Sequence, residues 1–117
     1  MAYTLLIVED PRQRDTRTPA EGHAAYDNMV QFAAQLKARG LLLATQSLTS
    51  HAAAARVRVR DGQSQVLDGP FAEAKEMVGG FFLLDCQTRA QAIAIAAECP
   101  AAQWCTVEVR EVGPCFT

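Results

Sequence analysis

Two four-residue runs, Leu5-Leu6-Ile7-Val8 and Phe81-Phe82-Leu83-Leu84, constrain the fold of this chain more than any other feature. Successive side chains of a strand point to opposite faces, so a run that is apolar at every position offers hydrophobic surface to both sides of a sheet. Each run therefore predicts a central strand covered on both faces. Ala55-Arg56-Val57-Arg58-Val59-Arg60 and Thr106-Val107-Glu108-Val109-Arg110 instead alternate, the pattern of strands at the edges of a sheet. The arginine stripe reads either as a wetted sheet face or as a site for an anionic ligand or partner.

Helix signals lie between these strands. Thr18-Pro19-Ala20-Glu21 is a capping box with proline at the first helical position, and Gly40 supplies the stop. The spacing of Tyr26, Met29, Val30, Ala33 and Leu36 predicts one face packed on a sheet. Thr88-Arg89-Ala90-Gln91 repeats the capping-box pattern, and Pro100 ends the second helix near Cys99. This helix offers Ile93, Ala96 and Ala97 on one side and Ala92, Ile95 and Cys99 on a neighbouring one. Leu41 to Ser47 reads as extended, Leu48 to Ala54 as a loop, and Asp61-Gly62 as a hairpin turn returning through Gln65-Val66-Leu67-Asp68.

At 117 residues the chain is one domain, 1–117, with half of its residues apolar and about a fifth charged, which excludes disorder. No apolar run is long enough to span a bilayer, and the N-terminus enters a strand with no basic segment or cleavage site, so a cytoplasmic protein without membrane contact is expected. A net charge of −2 argues against direct nucleic-acid binding. Cys86, Cys99, Cys105 and Cys115 lack zinc spacing, and no phosphate-cradling glycine loop is present, so neither metal nor cofactor is expected. They read as buried thiols, Cys99 and Cys105 being the one conceivable disulfide pair.

The densest chemistry falls on Asp68-Gly69-Pro70-Phe71-Ala72-Glu73-Ala74-Lys75-Glu76, running into Gly79-Gly80. Glycine and proline predict a rigid corner, Phe71 an apolar anchor, and Glu73, Lys75 and Glu76 charges of both signs close by. One reading is a turn followed by a short capped helix. The other holds Asp68 at the mouth of a pocket, where a carboxylate takes a proton or binds a ligand.

This stretch, together with Phe81-Phe82-Leu83, Arg58-Val59-Arg60-Asp61-Gly62 before it and Ala97-Glu98-Cys99-Pro100-Ala101-Ala102 after it, resembles the DGPF branch of the YCII-related family. The resemblance covers nearly the whole chain. It implies a small α+β domain with a ferredoxin-like antiparallel sheet, two main helices on one face and an inserted hairpin, of the dimeric α+β barrel type. The order of strands and helices agrees with it. Two helices cover one face of such a sheet, while the central strands present apolar side chains to the other, so a homodimer packed through the open faces is expected.

The resemblance also bears on chemistry. Members of the family proposed as enzymes place a histidine near the start of the first helix, here His23, and pair it with an aspartate before a proline, where this chain reads Cys99-Pro100. A thiol in that place prevents transfer of a His–Asp dyad. Asp68 and His23 are the candidate acid–base pair, with Phe71, Glu73, Lys75 and Arg58 as candidate ligand contacts; His51 lies in a loop with no evident partner. Three readings compete: a dimer that binds a small molecule and carries out acid–base chemistry on it; a non-catalytic regulatory module, since DGPF proteins are often associated with alternative sigma factors; and a dimeric α+β barrel related in shape to small monooxygenases, without haem ligation.

Overall fold

β1 (Ala2–Glu9) and β5 (Met77–Asp85) lie side by side at the centre of an antiparallel sheet, with β2 (Leu42–Ser47) and β6 (Thr106–Glu111) at its edges in the order β2-β5-β1-β6. This computed structural model describes residues 2–116. Two helices, α1 (Pro19–Ala38) and α2 (Arg89–Glu98), carry the chain over one face from β1 to β2 and from β5 to β6. Each crossover skips one strand, which is the ferredoxin-like arrangement. No helix among the described residues is long and apolar enough to cross a membrane.

The inward rows follow from the register. Tyr3, Leu5 and Ile7 of β1 sit opposite Leu84, Phe82 and Gly80 of β5, and beneath the helices they meet Phe32, Leu36, Ile95 and Cys99, all buried. Phe32 meets Phe82 edge to face at 5.2 Å. Leu6, Val8, Phe81 and Leu83 alternate to the opposite face, where no helix covers them and they stay half-buried.

Both helix starts form where the local chemistry places them. Thr18 Oγ1 accepts from the Glu21 N–H while Glu21 Oε1 accepts from the Thr18 N–H, a complete capping box. At α2, Thr88 caps the Gln91 N–H, but the Gln91 side chain takes the N–H of Gln87, outside the helix. Gly40 ends α1 at φ +71°, with Gly40 and Leu41 N–H groups returning to the carbonyls of Lys37 and Leu36.

Several expectations are corrected. The buried stripe of α1 runs through Phe32 and Leu36, with Met29 and Ala33 at its margin, while Tyr26 is 56% exposed and Val30 is also exposed. Those two flank an open cleft, and the ring four residues before Leu36 fills the core in their place. On α2 the side with Ala92, Ile95 and Cys99, together with Ala96, is buried; Ile93 and Ala97 are exposed. The arginine strand is not an edge of the main sheet. It is β3 (Ala55–Arg60), paired only with β4 (Gln63–Asp68) in a separate hairpin exposed on both faces; β2 takes the edge. Asp61 and Gly62, at φ 53° and 75°, make its turn.

No short helix follows Pro70. The Gly69-Pro70 peptide is cis, and a turn closes from the Ala74 N–H to the Phe71 carbonyl. The loop from Leu48 to Ala54 is structured, with a 3-10 turn at His51–Ala53 capped by Ser50. The corner docks on this turn: Gly69 N–H donates to Ala54 O at 2.7 Å, and Phe71 N–H donates to His51 Nδ1 at 3.3 Å. His51 therefore has a partner that its place in the sequence did not suggest. All four cysteines are free thiols, so Cys99 and Cys105 form no disulfide, but only Cys86 and Cys99 are buried as expected; Cys105 is half-buried and Cys115 exposed.

Candidate functional site

A cleft of about 560 Å³ opens between α1, the ends of β1 and β5, and edge strand β2. Its base is set by the strand pleat. Tyr3, Leu5, Ile7 and Glu9 share one face of β1, so Glu9 is the polar end of a buried apolar row. The β1–β5 register shifts between Ile7 and Val8, opposite Gly80 and Val78, leaving Gly79 as the extra residue. Glycine is needed there: a Cβ on Gly79 would overlap Glu9 Oε2 and lie 2.8 Å from Arg14 Nη2.

Arg14 completes the base. Its Nε donates to Glu9 Oε1 at 2.6 Å, Nη2 reaches Glu9 Oε2 at 3.4 Å, and Nη1 donates to the Leu48 carbonyl at 2.9 Å. One guanidinium thus ties the end of β1 to the loop after β2. The side chains are 11% exposed at Glu9 and 31% at Arg14, so the pair is shielded more than a surface ion pair, and removing one partner would strand a partly desolvated charge.

The walls are largely apolar, with Met29, Val30, Leu48, Phe82 and Trp104 among them. Trp104 is fixed by its own backbone, whose carbonyl accepts from Gln13 Nε2 at 2.7 Å. Arg17 lies over its ring, 5.4 Å from guanidinium carbon to centroid. Thr45 also faces the cleft and donates its hydroxyl to the Phe81 carbonyl at 2.8 Å. Behind Met29, the Cys99 thiol meets the Met29 sulfur at 3.9 Å. Burial, with the Glu9 charge adding to it, pushes the Cys105 thiol up to about 11, so the sulfur beside the cleft is protonated and unreactive at neutral pH. No group of three or more metal-ligating side chains occurs among the described residues.

The residues expected to carry chemistry lie elsewhere. His23 is exposed on α1, next to Gly22 but outside the cleft lining, and Asp68 is exposed at the end of β4 opposite Ala55. They share neither a hydrogen bond nor a hollow. Phe71 is buried and borders a second hollow with His51, Arg56 and Glu76. The Arg56 guanidinium stacks 3.9 Å above its ring, and the His51 ring meets its edge. Glu73 and Lys75 are exposed, and Arg58 is exposed with its Nε on Gln65 Oε1. Arg14 and Arg17 belong to the polar loop 12–17, whose three arginines read from sequence either as a solvated loop or as an anion-attracting rim, while nothing in the spacing joins them to Glu9 and Trp104.

The sequence model of the YCII-related domain matches residues 1–115. An uncharacterized protein of Rhizobium meliloti (strain 1021) is similar, at 30% identity over 98 residues, which covers 84% of this chain and 79% of that one. The match spans β1 through β6 and with them every wall of the cleft: this chain belongs to the YCII-related domain family.

Proposed function

We propose that this YCII-related domain binds a small organic molecule in the cleft under α1, and that it does so as a homodimer. The observation that carries the reading is the cleft itself, whose size, apolar walls and few converging polar groups match those of small-molecule sites. Binding is favoured over catalysis, because Glu9 is engaged by Arg14 and neither Asp68 nor His23 borders the cleft. The dimer rests on the uncovered row of Leu6, Val8, Phe81 and Leu83, an apolar patch that a second copy would cover with roughly 800 Å² per partner.

A second reading, a non-catalytic interaction module, is favoured by one feature. The β3–β4 hairpin stands free of the core, and Val57 and Val66, directly opposite each other, are 65% and 64% exposed. Native mass spectrometry separates the readings. A dimer carrying an additional small mass, absent from a Val30→Phe variant that narrows the cleft, supports ligand binding. A dimer that retains nothing, and whose melting temperature moves with no member of a small-molecule collection, transfers the weight to the hairpin and a protein partner. A monomer at micromolar concentration removes the dimer.

A further inference from the structure

We infer that the ligand of this cleft carries a single negative charge, a carboxylate on an aromatic or branched apolar body, and that Arg17 receives it. The inference rests on the binding reading above and deepens it.

Three formal charges line the cleft, Glu9, Arg14 and Arg17. The first two cancel, and the N–H groups of Arg14 are directed to Glu9 and to the Leu48 carbonyl. Arg17 makes no side-chain hydrogen bond and no ion pair among the described residues. Glu21 feels its charge, but Glu21 Oε1 accepts from the Thr18 N–H and the two side chains form no ion pair. Of the charges that line the cleft, Arg17 is therefore the one with no ion-pair partner among the described residues, in a protein whose formal net charge is −2. That cation is half-buried and seated over an indole, beside apolar walls where ionic attraction is weakly screened.

The chemistry of the anion follows from what the site lacks. A guanidinium presents paired N–H donors that match a carboxylate. A phosphate dianion would call for a second cation or free backbone N–H groups. Arg14 is neutralised, and the start of α1, which reaches the cleft at Gly22, has the Thr18 and Glu21 N–H groups in its capping box and the Gly22 N–H on the Thr18 carbonyl, so it offers no cluster of free donors. One charge with one fork of donors fits a monoacid, and the walls of Met29, Val30, Phe82 and Trp104 fit an apolar body.

Trp104 is the sole tryptophan of the chain and lines the cleft, so its emission reports occupancy. The test titrates the protein with 4-phenylbutanoate and with 4-phenylbutan-1-ol, the same body with and without the charge. The acid is expected to change Trp104 emission saturably and to bind roughly tenfold or more tightly than the alcohol, the scale of one charge-assisted contact. Arg17→Gln should bring the acid down to the alcohol's affinity, and Arg17→Lys should keep part of the difference. Equal affinity of acid and alcohol, unchanged in Arg17→Gln, overturns the anion inference and leaves the cleft as a ligand site. Failure of both probes to move Trp104 emission at millimolar concentration overturns both.

Discussion

Gly79→Ala tests whether the base of the cleft is built as described. The added Cβ must displace Glu9 Oε2 and Arg14 Nη2, both at the far ends of flexible side chains, so the strand itself need not move. What is lost is the charge-assisted bond from Arg14 Nε to Glu9 Oε1, worth about 1.5–3 kcal/mol where such groups are shielded. Arg14 reaches solvent, which discounts the figure. Alanine also restricts the unfolded chain, which returns roughly 0.4–1 kcal/mol. The net expectation is a destabilisation of about 1–2 kcal/mol, read as the shift in urea midpoint at constant slope. In a Glu9→Ala background the obstruction is gone and the same substitution should be neutral or slightly stabilising, a coupling of about 1 kcal/mol or more. Gly80→Ala is the control: its Cβ would meet the Gln46 carbonyl at 2.9 Å, backbone of β2 that the Glu9 change leaves in place, so its cost should persist. An equal cost for Gly79→Ala in both backgrounds would refute the ion pair as the reason for glycine.

Three further outcomes are expected. Gly22→Ala should stabilise the protein by about 0.5–1 kcal/mol in thermal or urea unfolding, because the new methyl meets nothing within 4 Å and glycine is a poor helix former; a loss of stability would show that the helix packs closely there. The Arg12 side chain and N–H on Asp10 hold its carboxyl down to about 2, below the ordinary carboxylate range, so its contribution is fully present above that range and is lost as pH falls through about 2. NMR titration of the Asp10 carboxyl checks this, and a midpoint in the ordinary range contradicts the contact. Burial pushes the Cys86, Cys99 and Cys105 thiols up, whereas Cys115 is exposed, so a disulfide reagent at about pH 8 should modify one thiol rapidly in the native protein and four in denaturant; two fast thiols would contradict the packing.

The identity of the two central strands was the most legible property of the chain. Runs of four large apolar side chains lie within β1 and β5, and those strands are central; the shorter Leu42-Leu43 run of β2 lies at an edge. Capping chemistry is equally local, so Thr18 and Thr88 mark helix starts without tertiary help. The errors arose where pattern is degenerate. Alanine-rich α1 has apolar residues on more than one side, and spacing cannot decide between Tyr26 with Val30 and the Phe32 that packs on Phe82. Alternation in β3 suggested one buried face, yet a two-stranded hairpin clear of the core wets both. The quieter sequence of β2 gave no alternation to mark it as the edge.

The corner after Asp68 and the cleft differ in a way that spacing cannot express. At the corner, chemically rich residues satisfy one another: Phe71 N–H meets His51, the Phe71 ring carries Arg56, and Gly69 N–H meets Ala54 while the glycine lies against the His51 carbonyl. The charged side chains around it, Arg56, Asp68, Glu73, Lys75 and Glu76, are exposed to water instead of converging on the cleft. The cleft is assembled from the end of β1, the loop after it, a glycine 70 residues further on and a tryptophan 91 residues from the glutamine that holds it. Its Glu9–Arg14 pair is satisfied as well, and Arg17 alone is not. A buried polar group in a folded chain ordinarily has a partner, whereas one open to water keeps its donors available to a ligand. Arg17, whose guanidinium nitrogens stay open to solvent at the edge of an apolar cleft, is the charge there still free to meet a partner from outside the chain, and the density of functional residue types in the sequence does not mark it.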